Sequence, residues 1–162
     1  MLVEGNPVDD QLSDRKLSEE LGAFDAAAVL AEKRDLGELT LEIAPEKLVA
    51  VCAHLKAVCG FERLSGITAV DRYPAEPRFE IVYHLHSVSR NERVRLKCRL
   101  PGEDAEIDSA TAVWRSANWY EREVFDLFGV RFRNHPDLRR IMLPEDWEGH
   151  PLRKDYPVQG YK

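Results

Sequence analysis

The chain has 162 residues with 44% hydrophobic and 32% charged residues and a net charge of −6. That is enough chain for one sizeable core plus an extension, and the acidic balance argues against generic nucleic-acid binding. No apolar run approaches the roughly 18 residues of a membrane span, so any membrane association would run through a partner.

The opening "MLVEGNPVDDQLSDRKLSEE" has neither a basic n-region nor an apolar h-region and reads as no secretory signal. Residues 1–22 are expected to be a polar, mobile lead-in to a body domain over 23–129. "FDAAAVLAEKRD", Phe24 to Asp35, is Ala-rich with charges toward its end and predicts a short helix. "GELTLEIAP" alternates Leu39, Leu41 and Ile43 against Glu38, Thr40 and Glu42, as a strand does. Pro45 suits a first helical turn, and Leu48, Cys52, Leu55 and Cys59 then recur on one helical face before Gly60 stops it.

Three strand candidates follow. "FERLSGITAVDRY" carries Phe61, Leu64, Ile67 and Val70, and Gly66 marks a place for a bulge. "RFEIVYHLHSVS" puts Ile81, Tyr83 and Leu85 on one face and Val82, His84 and His86 on the other. "ERVRLKCRLP" turns Val94, Leu96, Cys98 and Leu100 inward and Arg93, Arg95, Lys97 and Arg99 outward. The last two, joined across "SRNE", predict a hairpin with one wet face, its basic row balanced by acids such as Glu80. A final helix carries Tyr120, Val124, Leu127 and Phe128 at helical spacing, with Ser109 or Ser116 as caps and Gly129 as its end. The expected fold is α+β, a two-layer domain whose mixed or antiparallel sheet packs against helices.

Chemistry-bearing motifs are sparse. There is no Gly-rich phosphate loop, nucleophile elbow or CxxC pair. Cys52 and Cys59, two helical turns apart, would sit about 10 Å from each other, beyond the roughly 5.5 Å a disulfide needs. With Cys98 they read as reduced, buried thiols of a cytosolic protein. His84 and His86 share a strand face, a geometry that can hold a metal, but no third ligand stands near and they read as solvent or interface histidines. Arg122 and Asp126, four apart, are placed to pair on the helix surface.

The strip over 130–162 is different. From Gly129 onward seven Lys/Arg stand against five Asp/Glu, a mildly basic tail on an acidic body. Pro136, Pro144, Pro151 and Pro157 block helix, and they push His135, Leu143, His150 and Tyr156 toward extended backbone. Apolar anchors (Phe132, Leu138, Ile141, Leu143, Trp147, Tyr156) interleave with Arg131, Arg133, Arg139, Arg140 and Arg153. Aromatic and Arg side chains are those enriched at interface hot spots. The strip is therefore expected to be an extended partner-binding tail that needs another protein's surface.

"YEREVFDLFGVRFRNHPDLRRIMLPEDWEGHPLRKDYP" closely resembles the signature of the C subunit, the 30 kDa-type subunit, of respiratory complex I, the proton-pumping NADH:quinone oxidoreductase. The resemblance covers about a quarter of the chain closely. It implies a structural subunit of the peripheral arm at the cytoplasmic side of the inner membrane, without flavin, cluster or quinone of its own, in a complex that uses NADH, FMN, iron–sulfur clusters and quinone. It implies docking mainly on the D subunit, near the B subunit. Because the chain ends soon after the motif, it resembles the free form rather than the version fused to the D subunit. The residues expected at the partner interface are Glu121, Arg122, Glu123, Asp126, Phe132, His135, Asp137, Arg139, Arg140, Trp147, Arg153 and Tyr156. An alternative is the equivalent subunit of a membrane-bound hydrogenase or of a ferredoxin- or deazaflavin-fed complex.

Overall fold

A computed structural model describes residues 7–159, with side chains from Lys16 onward. The chain runs α1 (Pro7–Phe24), β1 (Val29–Asp35), β2 (Glu38–Ile43), α2 (Leu48–Ala57), β3 (Arg63–Asp71), β4 (Phe79–Ser87), β5 (Glu92–Leu100), β6 (Glu106–Asp108), α3 (Ala117–Phe128) and β7 (Arg131–Arg133). Five strands form one mixed sheet in the order β1-β2-β5-β4-β3. All its pairings are antiparallel except β2 with β5, which run parallel because α2 and two strands lie between them. The α+β expectation therefore holds, with helices on one face of a mixed sheet.

The alternation read from the sequence sets that sheet's two faces. Ile81, Tyr83, Leu85, Val94, Leu96 and Cys98 are buried under the α2 stripe of Leu48, Val51, Cys52 and Leu55. Each such side chain, fully buried, contributes about 1.5–3 kcal/mol. The three cysteines are free and buried, and burial pushes the Cys59 thiol up to about 11. Arg93, Arg95, Lys97 and Arg99 line the outer face. Glu80 is buried among Lys97, Arg72 and Arg99, while Glu38 pairs with Arg95 and Glu42 with Arg99. The bulge expected at Gly66 is present, as a register shift between Leu64 and Gly66. Gly60, at φ +75°, follows the end of α2 as its stop.

Two expectations near the start give way to tertiary contacts. Of the segment expected to be helical over 24–35, Val29–Asp35 is the strand β1 and Phe24 ends α1. β1 pairs with β2 across a two-residue turn in which Leu36 and Gly37 both have positive φ, the geometry that matches the twist of a hairpin. Ala-rich propensity is a preference of tenths of a kcal/mol per residue, and a full strand ladder outweighs it. The lead-in expected over 1–22 is helical from Pro7, and Leu17 and Leu21 are buried in the core. Residues 1–6 lie outside the described residues.

At the other end the body does not stop at Gly129. Val130 and Phe132 are buried, and β7 pairs in parallel with β6 in a second, two-stranded sheet.

A tail clasped around the end of helix α3

α3 ends at Gly129, whose φ of 76° is the left-handed conformation that closes a helix, with its N–H donating to the Phe125 carbonyl at 2.8 Å. A helix end leaves carbonyls without intrahelical partners. Here the strip folds back and supplies them. The Asp126 carbonyl accepts from Arg140 Nη1 at 3.1 Å and from His150 Nδ1 at 2.8 Å. The Leu127 carbonyl accepts from the Leu152 N–H at 3.1 Å, and the Phe128 carbonyl from Arg153 Nε at 2.6 Å. Three donors of cationic residue types thus gather at the negative end of the helix dipole. Gly129 makes room for them. A Cβ there would lie 2.5 Å from His150 Cδ2 and 2.6 Å from Arg153 Nη2.

Asp126 is the centre of this clasp. Its side chain is 0% exposed, and Oδ2 accepts from three consecutive backbone N–H groups, Ile141 at 3.0, Met142 at 2.7 and Leu143 at 3.0 Å. Oδ1 accepts from Arg140 Nη1 at 2.6 Å. Burial opposes ionisation, but the guanidinium and the three N–H groups outweigh it and hold the carboxyl below its usual range. The other Arg140 nitrogen donates to the Trp147 and Gly149 carbonyls at 3.1 and 2.9 Å, so one arginine ties three parts of the strip to the helix.

A second clasp lies farther along. Arg78 makes a forked pair with Asp71 at 2.9 and 2.8 Å and reaches Asp155 at 3.0 and 2.6 Å. Its guanidinium also stacks on Tyr73 and Phe79. Asp71 Oδ2 further accepts from the Lys154 N–H at 2.8 Å. Burial opposes the Asp71 charge; Arg78 and the Lys154 and Tyr73 N–H groups overcome it and depress the carboxyl strongly.

The expected interface residues consequently divide. Glu121 faces inward at 0% exposure, accepting from Ser109 Oγ and the Ala110 N–H, both at 2.6 Å. Burial raises its carboxyl to about 7. Ser109 also caps the 3₁₀ turn at Ala110–Ala112, whereas Ser116 makes no side-chain cap. His135 is enclosed beside Glu121. Its Nδ1 accepts from the Asp137 N–H at 3.0 Å, so Nε2 carries the proton toward the Asn118 carbonyl at 3.1 Å. Phe132 is core.

Arg122 does not pair with Asp126 across the helix surface. It donates to the Arg139 and Arg140 carbonyls and stacks on Trp119. Glu121, Arg122, Asp126, Phe132, His135, Arg140 and Arg153 therefore serve the chain's own fold. Arg140 and Arg153 find partners in carbonyls that the end of α3 presents, which the sequence pattern does not display.

The remaining residues face outward. Glu123 is exposed, and Arg139 pairs with Asp137 at 2.9 Å in the open. Trp147 is 41% exposed. Tyr156 is half-buried, its hydroxyl donating to the Glu148 carbonyl at 3.4 Å. Beside them stand Trp119 and Met142, each 62% exposed, and Leu152 at 51%. The strip, held by these hydrogen bonds, thus carries large apolar side chains into solvent. Asp71 and Arg78 were missed in the sequence, although Asp71 continues the inward alternation of Ile67 and Ala69, and a carboxylate at such a position calls for a partner.

The family model of the respiratory-chain NADH dehydrogenase 30 Kd subunit matches residues 41–162. The NADH-quinone oxidoreductase C subunit of Geobacter sulfurreducens is 51% identical over 136 residues, 83% of this chain and 84% of that protein. The protein of the same name from Trichlorobacter lovleyi is 50% identical over 149 residues, 91% of each chain. Among solved structures, a trypsin-resistant fragment (1-134) of Nqo5 superposes with a TM-score of 0.66 at 36% identity, covering 76% of this chain and 99% of the fragment. A chain of the membrane-bound sulfane sulfur reductase, an archaeal respiratory membrane complex, superposes with a TM-score of 0.77 at 26% identity, covering 89% and 85%.

Proposed function

The chain belongs to the family of the respiratory-chain NADH dehydrogenase 30 Kd subunit, and on that premise we propose that it is a structural subunit that docks through the clasped strip. It is a subunit of a complex I-type NADH-quinone oxidoreductase. The partner is the D subunit, with the B subunit nearby, at the quinone-reducing end of the peripheral arm on the cytoplasmic side of the membrane. No helix of the described residues is long and apolar enough to cross a membrane. The observation that carries the reading is the exposure of Met142, Trp147 and Leu152 on a strip held by buried carboxylates, with Trp119 exposed on α3. A pre-ordered strip loses less entropy on docking than a loose tail, and desolvating these side chains supplies the affinity.

The chain carries no flavin, cluster or quinone in this reading; its thiols are core packing, with burial holding those of Cys52 and Cys98 far above their ordinary range. Electron transfer and proton pumping belong to the complex, and this chain holds the arm together.

The test compares complex content with turnover per assembled complex in Trp119→Ala and Met142→Ala strains. Reduced content with normal turnover is expected. Full content with lost turnover would give the strip a direct role at the quinone end instead. The purified chain should be colourless, and a stoichiometric flavin or cluster spectrum would overturn the structural reading. The likeness to the sulfane sulfur reductase chain favours one alternative, the equivalent subunit of a related membrane-bound complex. The proteins that copurify with a tagged chain decide between them.

A further inference from the structure

On the sheet face turned away from α2, the charges are compensated along most of β5. Arg95 is paired with Glu38, Lys97 with Glu80 and Arg99 with Glu42. The compensation stops at one end. Arg63 stands opposite His86 in the β3–β4 register, and His86 opposite Arg93 in the β4–β5 register, so the three form one row across three strands. Among the described residues, no carboxylate lies within ion-pair distance of Arg63 or Arg93. The nearby Glu62 is occupied, accepting from the Val88 and Ser89 N–H groups. His86 Nε2 is shielded from solvent and has no hydrogen-bond partner. His84 and Arg95 form the neighbouring row. Both rows line a cavity of about 450 Å³.

Two guanidinium groups flank His86 on one face of the sheet, and a buried ring nitrogen without a partner costs a hydrogen bond. Among the described residues no carboxylate pairs with either guanidinium and no hydrogen bond meets the ring nitrogen, the Glu62 carboxylate reaching His86 only as a nearby charge. Both needs would be met by an acceptor carrying negative charge, and a carboxylate matches the planar fork of a guanidinium. The lining is an open groove that runs across β2, β5, β4 and β3, which suits a peptide segment better than a small ion.

We propose that the row Arg63–His86–Arg93 is a second docking site, taking an acidic segment of a neighbouring protein chain with an Asp or Glu side chain between the two guanidinium groups. The site goes beyond the tail-docking reading, because it uses different residues, on the outer face of the sheet. It gives the protein two separated contacts, one largely apolar and one electrostatic.

The experiment uses the full chain in its assembled complex, with a benzophenone amino acid at Ser65, which lines the cavity. Irradiation should give an intermolecular crosslink to a segment containing Asp or Glu. The Arg63→Gln/Arg93→Gln variant should lower its yield about tenfold, as loss of a desolvated charge pair does. The Arg63→Lys/Arg93→Lys variant should retain most of it. Protected amides in β4 and β5 serve as the control that the sheet of each variant is folded, and the two single Gln variants are read if the double one is not.

No intermolecular crosslink in a complex that contains the chain, a crosslinked segment without acids, or an unchanged yield in the Gln variants would overturn the site and leave the tail face standing. So would saturable movement of the His86 ring signals by inorganic phosphate without a crosslink, which would make it a small-anion site. Loss of the complex in the Trp119 and Met142 variants concerns the tail face alone.

Discussion

Replacing Asp126 by Ala removes the group on which the clasp converges. The variant loses the acceptor of three N–H groups, at Ile141, Met142 and Leu143, and the counter-charge of Arg140. Breaking a buried pair from one side costs about 3–5 kcal/mol. Asp126 itself is fully enclosed, but Arg140 lies near the surface and can rehydrate, so the lower end, about 3 kcal/mol, is expected. The loss is local. Val124 and Phe128 keep their core contacts, and the ladder of the five-stranded sheet contains no residue of the strip.

Amide exchange at Ile141–Leu143 should therefore accelerate roughly 100-fold, the equivalent of about 3 kcal/mol, while β4 and β5 amides keep their protection. Trypsin cleavage after Arg139 and Arg140 should speed up in proportion, leaving the body intact. Asp126→Asn keeps the shape and one acceptor oxygen but not the charge, and should fall between. Equal exchange at these amides in the wild type and Asp126→Ala would refute the argument, because the strip would then be held by its apolar contacts. Acceleration in β4 and β5 as well would show that strip and body unfold as one unit.

Gly129→Ala forces a left-handed residue and drives a Cβ into His150 and Arg153, so it should lower stability by more than the roughly 1 kcal/mol of the backbone term alone, measured by denaturant midpoint. Glu121 has a raised folded-state carboxyl, so its favourable contribution is complete below about pH 4.5 and is lost as pH rises toward about 7. Glu121→Gln should flatten the fall in urea stability across that window, by up to roughly 3 kcal/mol, and an unchanged slope would place the titration elsewhere. Asp71 and Asp126 have depressed carboxyls, so their contributions are present above about pH 3.8 and vanish as pH falls through their folded values. On acidification the strip amides should lose protection before those of the sheet. Arg78→Lys cannot make the forked pair with Asp71 while also holding Asp155, and exchange at Lys154–Tyr156 should rise with little change at Ile141–Leu143.

The sequence by itself determined the parts whose physics is periodic. Alternation in β2, β4 and β5 and the α2 stripe depend on which face of an element is apolar, and that can be read from spacing alone. The Pro-punctuated strip also announced a non-helical backbone, since proline restricts its own φ and its neighbour's conformation wherever it stands, but the extended course expected of it is a series of turns folded back on α3. The signature was legible as a pattern, but the work of its charged residues was not. Arg140, His150 and Arg153 have the composition of a docking surface, and only the folded chain puts the carbonyls of Asp126, Leu127 and Phe128 in front of them.

The strand β1 was hidden for a related reason. Its stability comes from a ladder to β2, a contact that local helix propensity does not register. Asp71 and Arg78 are seven residues apart in sequence and meet Asp155 more than seventy residues later. Such pairings are decided by where strand and tail arrive in space. A single sequence fixes which groups need partners; tertiary structure decides which partners lie within hydrogen-bond reach.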